Sequence, residues 1–428
     1  LRKYGFAHIL IAMTDFQKNL MERFVRYAKT YSESSEKNAD AGVIPSTPQE
    51  WDLAKMLEAE MKALGLEGVH ITENCYVYGC LKASAGLENV APFALLAHLD
   101  TVEEVSGKDV KPQIIENYDG SVITLSEGSK IDPATDLALK MAGDERDTII
   151  TSDGTTLLGA DDKAGIAAIM SAIAELVEKK IPHGKIEVIF SPDEETGHGM
   201  DKVPLDEIES KKAYTVDGGH IGELETECFN AYKSEITFTG KSLHTGAARS
   251  GMVNAVTMAS SFVANLPRQE APETTDGYLG FYAPMEITGS VESAYVYLLL
   301  RDFTSEGMEK RKAFVDSLAD VTARSFGGKA QVKHTEQYRN MKQKLDEHPE
   351  VVANLVEAYK AAGVTPVFPP IRGGTDGSRL TEMGIPTPNI FTGGHNYHSR
   401  TEWLSLNQFT KAAQVLIELA KISCKDTQ

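Results

Sequence analysis

Residues 92–97 read PFALLA, almost wholly apolar, and no other stretch constrains the fold as much. A strand with one wet face alternates polar and apolar residues, because its side chains point to opposite faces in turn. A strand without that alternation suits a position covered on both faces, as in an α/β sheet layered by helices. The run KIEVIF at 185–190 has the composition of a second buried strand, and AYTVDGG brings a third to its end at Asp217. Between the first two, LLGADD leads into KAGIAAIMSAIAELVEKK, a clear helical pattern.

Helical spacing over 14–30 gives way to a Ser/Asn/Pro-rich loop over 31–48. Residues 49–64 are helical again until Gly65 stops them, and strands are expected at 69–72 and 75–81. Residues 103–150 form a long, mostly polar excursion, which a compact domain carries best as a functional insertion or flap. A chain of 428 residues exceeds what one core usually supports, so two domains are expected. From about residue 222 the texture changes. SEITFTG alternates as a half-exposed strand, GMVNAVTMASSFVANL and EGMEKRKAFVDSLADVTARSF read as helices, and SAYVYLLLRDF and KAQVKHTE as further strands. The expectation is therefore an α/β domain over 13–221 and 339–428, with a smaller α+β domain over 222–338 inserted into it. Helices follow at 349–362 and 406–422. Ahead of Met13, LRKYGFAHILIA has basic residues and a short apolar stretch but no small-residue cleavage site, so residues 1–12 are expected to be a tag or upstream sequence.

Lysine and arginine number 43 against 62 acidic residues, a net charge of −19, which argues against nucleic acid or an anionic membrane as partner. No apolar run approaches the ~20 residues of a membrane span. The four cysteines, Cys75, Cys80, Cys228 and Cys424, make no framework and no Cys-x-x-Cys, which suits a reducing cytoplasm.

Five segments carry unusual polar residues: AHLDT, GADDKAG, PDEETG, TVDGG and NYHSRTEW. Four of them fall at strand ends, where sites in open α/β sheets gather. His98 and Asp100 share a strand face, the pairing that orients a metal-bound imidazole. Asp161 and Asp162 stand where a helix begins, and one of the two could cap it, leaving the other without a structural purpose. Glu194 and Glu195 are adjacent, so regular structure cannot aim both at one target. Each feature alone has an ordinary structural account: a buried pair, a cap, a solvated turn. Together, His98, Asp161, Glu195, Asp217 and His398 make two imidazoles and three carboxylates, a nitrogen/oxygen set suited to zinc, cobalt or manganese. If Asp161 bridges, each ion has one histidine, one carboxylate of its own and the shared one, with a position left for water between ions about 3.5–4 Å apart. Glu194 is then left over, beside a ligand, to take the proton from that water.

In this order, and with a domain inserted after TVDGG, the motifs closely resemble the co-catalytic dizinc exopeptidases, the family that includes carboxypeptidase G and aminoacylase-like enzymes. PETTDGYLGFY, IRGGTDG and NIFTGG…NYH are similar to segments of its tripeptide aminopeptidases, and the likeness runs from about residue 13 to the end. The resemblance implies a zinc-exopeptidase catalytic domain with an inserted lid or dimerisation domain, and release of the N-terminal residue from tripeptides. It implies that His98 and Asp217 bind one zinc, Glu195 and His398 the other, and Asp161 both. It gives Asp100 a supporting catalytic role, makes Glu194 the general base and His244 the donor to the oxyanion, and suggests a cis peptide between Asp161 and Asp162.

Arg301 and Arg372 could clamp a substrate carboxylate bidentately, and Asn254 is a further candidate contact. His198, His220 and His395 are the nearest rivals for ligand duty, and they match no ligand of the family. Small peptides are the expected partners, with a homodimer compatible with the inserted domain. Related readings are a dipeptidase, a carboxypeptidase or an amide deacylase on the same scaffold. From another class, a non-catalytic peptide- or metal-binding protein would gain nothing from Glu194.

Overall fold

A computed structural model describes residues 13–249 and 251–425, so the expectation for 1–12 lies outside the described residues. Seven strands build the central sheet: Glu67–Ile71 (β1), Val77–Leu81 (β2), Phe93–His98 (β3), Ile186–Ser191 (β4), Ala213–Gly218 (β5), Leu224–Glu225 (β6) and Asn389–Phe391 (β7). Their spatial order is β1-β2-β4-β3-β5-β7-β6. β1 and β2 form an antiparallel edge, whereas β4, β3, β5 and β7 run parallel. Every residue of β3 and β4 is buried, as unbroken apolar runs require.

The chain leaves β3 for β4 on one side and returns to β5 on the other. That reversal opens a crevice at the carboxyl ends of the strands, and the residues following β3, β4 and β5 all emerge there. The helix Ala160–Glu178 packs on β3 and β5, with Asp15–Ala28 and Leu406–Ser423 against it. Its approach to β5 depends on Gly165, where a Cβ would stand 1.9 Å from the Val216 carbonyl oxygen.

The polar excursion is more structured than its composition suggests. Gln113–Ile115 pairs with Ile149–Thr151, which pairs with Trp403–Ser405, which in turn pairs with Gly394–His395. A helix, Leu137–Glu145, is capped by Asp136 and packs in a small cluster with Tyr118, Ile149 and Trp403. Residues 396–402 are thereby the turn of a hairpin. The loop expected over 31–48 also contains a short helix, Glu36–Asp40.

The second sheet is antiparallel, in the order Phe281–Gly289, Ser293–Asp302, Asn230–Thr239, Lys329–Tyr338. Ser293–Asp302 alternates buried and part-exposed positions, and helices Ala255–Ala264 and Ser305–Phe326 cover the buried face around Phe238, Phe262, Val296, Leu298 and Val315. The strand Phe281–Gly289 has no counterpart among the elements expected from sequence. Pro284 lies within it, and the register slips between Pro284 and Glu286. A proline is tolerated because the strand is an edge.

The chain forms two compact units. One holds the residues up to Leu224, Ala353–Pro366 and those from Asn389 on; the other holds Glu225–Val352 and Val367–Pro388. The second unit thus keeps 339–352 and 367–388, beyond the return expected at 339. Met341 and Leu345 pack with Cys228, and Ile371 pairs with Cys228. No described helix is long and apolar enough to cross a membrane.

Candidate metal centre

His98 ends β3 with 2% of its surface exposed. Its Nδ1 lies 3.2 Å from the Asp100 carbonyl oxygen and 3.3 Å from Asp100 Oδ1, which turns Nε2 outward from the strand end. Asp100 is fully buried and does more than face this imidazole. Its Oδ1 accepts the Glu194 amide at 3.0 Å and its Oδ2 the Glu195 amide at 3.1 Å. One carboxylate thus ties the end of β3 to the turn that follows β4.

The two aspartates after Gly159 divide their work. Asp162 is buried, accepts the Gly165 amide with Oδ1 at 3.0 Å and takes the His98 amide on Oδ2 at 3.2 Å. It therefore serves the helix start and β3 together. Asp161, joined to it by a cis peptide, points the other way. Asp161 Oδ1 lies 2.9 Å from His98 Nε2, and Oδ2 lies 3.2 Å from His398 Nε2. An imidazole on each oxygen is the placement that a bridging carboxylate has.

Asp217 and Glu195 each pair with a different imidazole. Asp217, at the end of β5, has Oδ1 3.5 Å from His98 Nε2 and its amide held by Asn389 Oδ1 at 3.0 Å. Glu195 has Oε2 3.2 Å from His398 Nε2. Glu194 and Glu195 share a short turn after Asp193, whose φ of +56° bends the chain. Ligand atoms of His98, Asp161 and Glu195 lie within 4.8 Å of one another, as do those of His98, Glu194 and Asp217.

The electrostatics are those of a cluster built around positive charge. Burial, reinforced by the charge of Asp161, pushes the Glu195 carboxyl up to about 8 and the Asp217 carboxyl up to about 7. Burial alone would lower both imidazoles, but Asp217, Asp100 and Asp161 hold His98 well above its ordinary value. Asp161 and Glu195 likewise raise His398 to about 11. Glu195 Oε1 is buried without a hydrogen-bond partner. An orphaned carboxylate oxygen among two imidazoles and two further carboxylates fits divalent cations of the zinc, cobalt or manganese type.

Of the rival histidines, His198 lies between Asp201 and Asp40, at 2.7 and 3.3 Å, and His395 stacks on Trp403 with centroids 4.1 Å apart. His220 packs beside His395 at 5.3 Å.

The other singled-out residues belong to the second unit. His244 is exposed, and its Nδ1 accepts the Gly246 amide at 3.2 Å, so a neutral ring carries its proton on Nε2. Asn254 caps the helix Ala255–Ala264, its Oδ1 accepting the amides of Val256 at 2.9 Å and Thr257 at 3.3 Å. Arg301 Nη1 donates to the Leu300 carbonyl at 2.9 Å and to Gln337 Oε1 at 3.0 Å, while the neighbouring Asp302 is taken by Arg311 at 2.9 Å. Arg372 donates through Nη1 to the carbonyls of Gly277 and Leu279 at 2.9 and 2.8 Å, and through Nη2 to Thr275 Oγ1 at 2.8 Å. It also stands over the Phe229 ring. Both of its Nη groups thus brace the 275–279 loop, a use of Arg372 that the sequence did not announce.

Two further groups escaped the sequence reading. Tyr397 places its hydroxyl 2.6 Å from Thr392 Oγ1 and 3.0 Å from the Gly218 carbonyl, steadying the hairpin against the end of β5. Glu402 is buried and accepts backbone amides around Asp161. The only signal for Glu402 is an acid directly preceding the apolar run WLSL.

Among known proteins, the model of peptidase family M20/M25/M40 matches residues 152–422. A peptidase T of Geobacillus thermodenitrificans (strain NG80-2) is 45% identical, covering 95% of this chain and 98% of its own. The structure of aminopeptidase PepT from Bacillus cereus ATCC 10987 superposes with a TM-score of 0.73 at 25% identity, over 95% of this chain and 98% of that one. A dinuclear metal binding peptidase of the M20 family from Bacillus subtilis gives a TM-score of 0.64 at 16% identity, over 96% and 99%.

Proposed function

This chain belongs to peptidase family M20/M25/M40, and from that premise we propose that it is a metal-dependent aminopeptidase releasing the N-terminal residue of tripeptides. The observation that carries the reading is the placement of one imidazole Nε2 on each oxygen of Asp161, at 2.9 and 3.2 Å. The peptidase T relative and the PepT structure support the substrate class. In this reading His98 and Asp217 hold one zinc ion, Glu195 and His398 a second, and Asp161 both, with cobalt or manganese as substitutes. Such ions, when bound, polarise the scissile carbonyl and make water more acidic.

The chain's own groups then divide the reaction. Glu194 takes a proton from the attacking water as its oxygen bonds to the carbonyl carbon, and returns it to the amine nitrogen as the C–N bond breaks. Asp100 positions both participants, since it faces His98 Nδ1 and holds the amides of Glu194 and Glu195. His244, with a proton on Nε2, is read as a donor to the developing oxyanion, a role that rests on the family resemblance. Arg301 or Arg372 is assigned to the substrate carboxylate and Asn254 to a further substrate contact, with residues 222–338 read as the lid. A cytoplasmic setting accords with four cysteines that are all free.

Mass spectrometry of products from a mixed pool of di-, tri- and tetrapeptides tests the assignment. Tripeptides should lose their first residue, and N-blocked tripeptides should persist. Preferred cleavage of dipeptides, of C-terminal residues or of acylated amino acids would reassign the substrate to the related activities. No cleavage by the zinc-loaded protein would leave a binding protein.

A further inference from the structure

Glu402 stands four residues after His398 and is 1% exposed. Its Oε2 accepts the amides of Leu158 at 2.7 Å and Gly159 at 2.8 Å, and its Oε1 those of Ala160 at 2.7 Å and Asp161 at 3.2 Å. Four successive amides curl around one carboxylate, a path that requires the left-handed backbone of Gly159, φ +79°. Burying a charge this completely is unfavourable unless such donors compensate it.

The helix does not need this arrangement for its start, because Asp162 already caps it by accepting the Gly165 amide. What the cradle fixes is the segment just before, the one that aims Asp161. Its anchor lies at the foot of the hairpin that presents His398. A single side chain therefore ties the Asp161 backbone to the strand that closes the hairpin of His398, whose ring faces the Asp161 carboxylate at 3.2 Å.

We propose that Glu402 is a positioning residue of the metal centre, setting the direction of the Asp161 carboxylate relative to the His398 hairpin and so governing how tightly ions are held. The inference rests on the reading of Asp161 as the shared ligand. Glu187 provides an internal control. It is fully buried and accepts four hydrogen bonds, from the Tyr78 hydroxyl, the Glu209 amide, and the amide and hydroxyl of Ser210. None of those donors belongs to a candidate ligand.

The test is zinc titration of the chelator-stripped full chain against a competing chromogenic chelator, for the wild type, Glu402→Gln and Glu187→Gln. The melting temperature of each metal-free protein is measured alongside. A glutamine places an NH2 where donors need an acceptor, two amides at Glu402 and an amide with a hydroxyl at Glu187, so both variants should melt lower than the wild type. Glu402→Gln should also bind zinc about 10–100-fold more weakly at one site or both, whereas Glu187→Gln should keep the wild-type affinity. Unchanged affinity in Glu402→Gln, or equal weakening in both variants, overturns the proposal. Hydrogen exchange on the wild type decides independently of whether a variant folds. The amides of 158–161 should be as protected without metal as with zinc, and fast exchange in the metal-free protein would show that the cradle follows the metal instead of setting it. A wild type that takes up fewer than two ions contradicts the shared-ligand reading instead, a distinct failure.

Discussion

In the larger unit, most candidate ligands follow a strand end or open a helix and are already steadied by a neighbour, His398 on its exposed hairpin turn being the exception. His98 is steadied through Nδ1, Asp217 through an amide held by Asn389, and Asp161 through an amide held by Glu402. In the second unit, His244 is an exposed turn residue and Asn254 a helix cap, while burial is left to an aliphatic and aromatic core. The difference separates two requirements. Under the proposed assignment, His98, Asp161 and Asp217 are locked by their surroundings, whereas His244 and Asn254 are held only by their own local turn.

The sharpest way to break this contrast is within the adjacent glutamates. Glu194→Gln should lower the rate by ~10²–10⁴ while both ions remain, since a base is removed and no ligand. Glu195→Gln should instead release one ion and recover in part with excess zinc or cobalt. Equal metal loss in the two variants, measured by elemental analysis, would mean the pair is assigned the wrong way round.

Crossing to the second unit should leave the metal untouched. His244→Ala is expected to lower kcat by ~10²–10³, the usual cost of one oxyanion donor, at unchanged metal content. Normal kinetics would remove His244 from the reaction. A smaller effect is expected at the other end of the substrate: tripeptides amidated at the C-terminus should lose roughly 1.5–3 kcal/mol in kcat/KM if an arginine grips the carboxylate. Equal rates on acid and amide would confine Arg372 to bracing the 275–279 loop.

The smallest effect belongs to Asn254. Asn254→Ala should cost about 1 kcal/mol of stability through the lost cap, read by thermal or denaturant unfolding. Asn254→Asp keeps the cap, so a raised KM in that variant would show that the amide nitrogen meets substrate. An unaltered KM would leave Asn254 purely structural.

The sequence made the buried strands legible because PFALLA and KIEVIF cannot sit at a wet surface. Phe281–Gly289 was hidden because Pro284 and its exposed residues look like loop, and the excursion because its strands are only two or three residues long, too short for periodicity to register. For the site, the residue types were readable, while the choice between Asp161 and Asp162 as shared ligand rested on the family resemblance. Nothing in GADDKAG shows that Asp162 faces the Gly165 amide while Asp161 faces two imidazoles. Glu402 left less trace still, because its partners are backbone amides, which every residue but proline possesses.

The order of strands in the central sheet also carries a consequence for synthesis. β7 lies between β5 and β6, and the hairpin presenting His398 is closed by Trp403–Ser405 pairing with Ile149–Thr151. A chain emerging from the ribosome therefore has an incomplete sheet, and His398 cannot face Asp161, until residues 389–405 have been made.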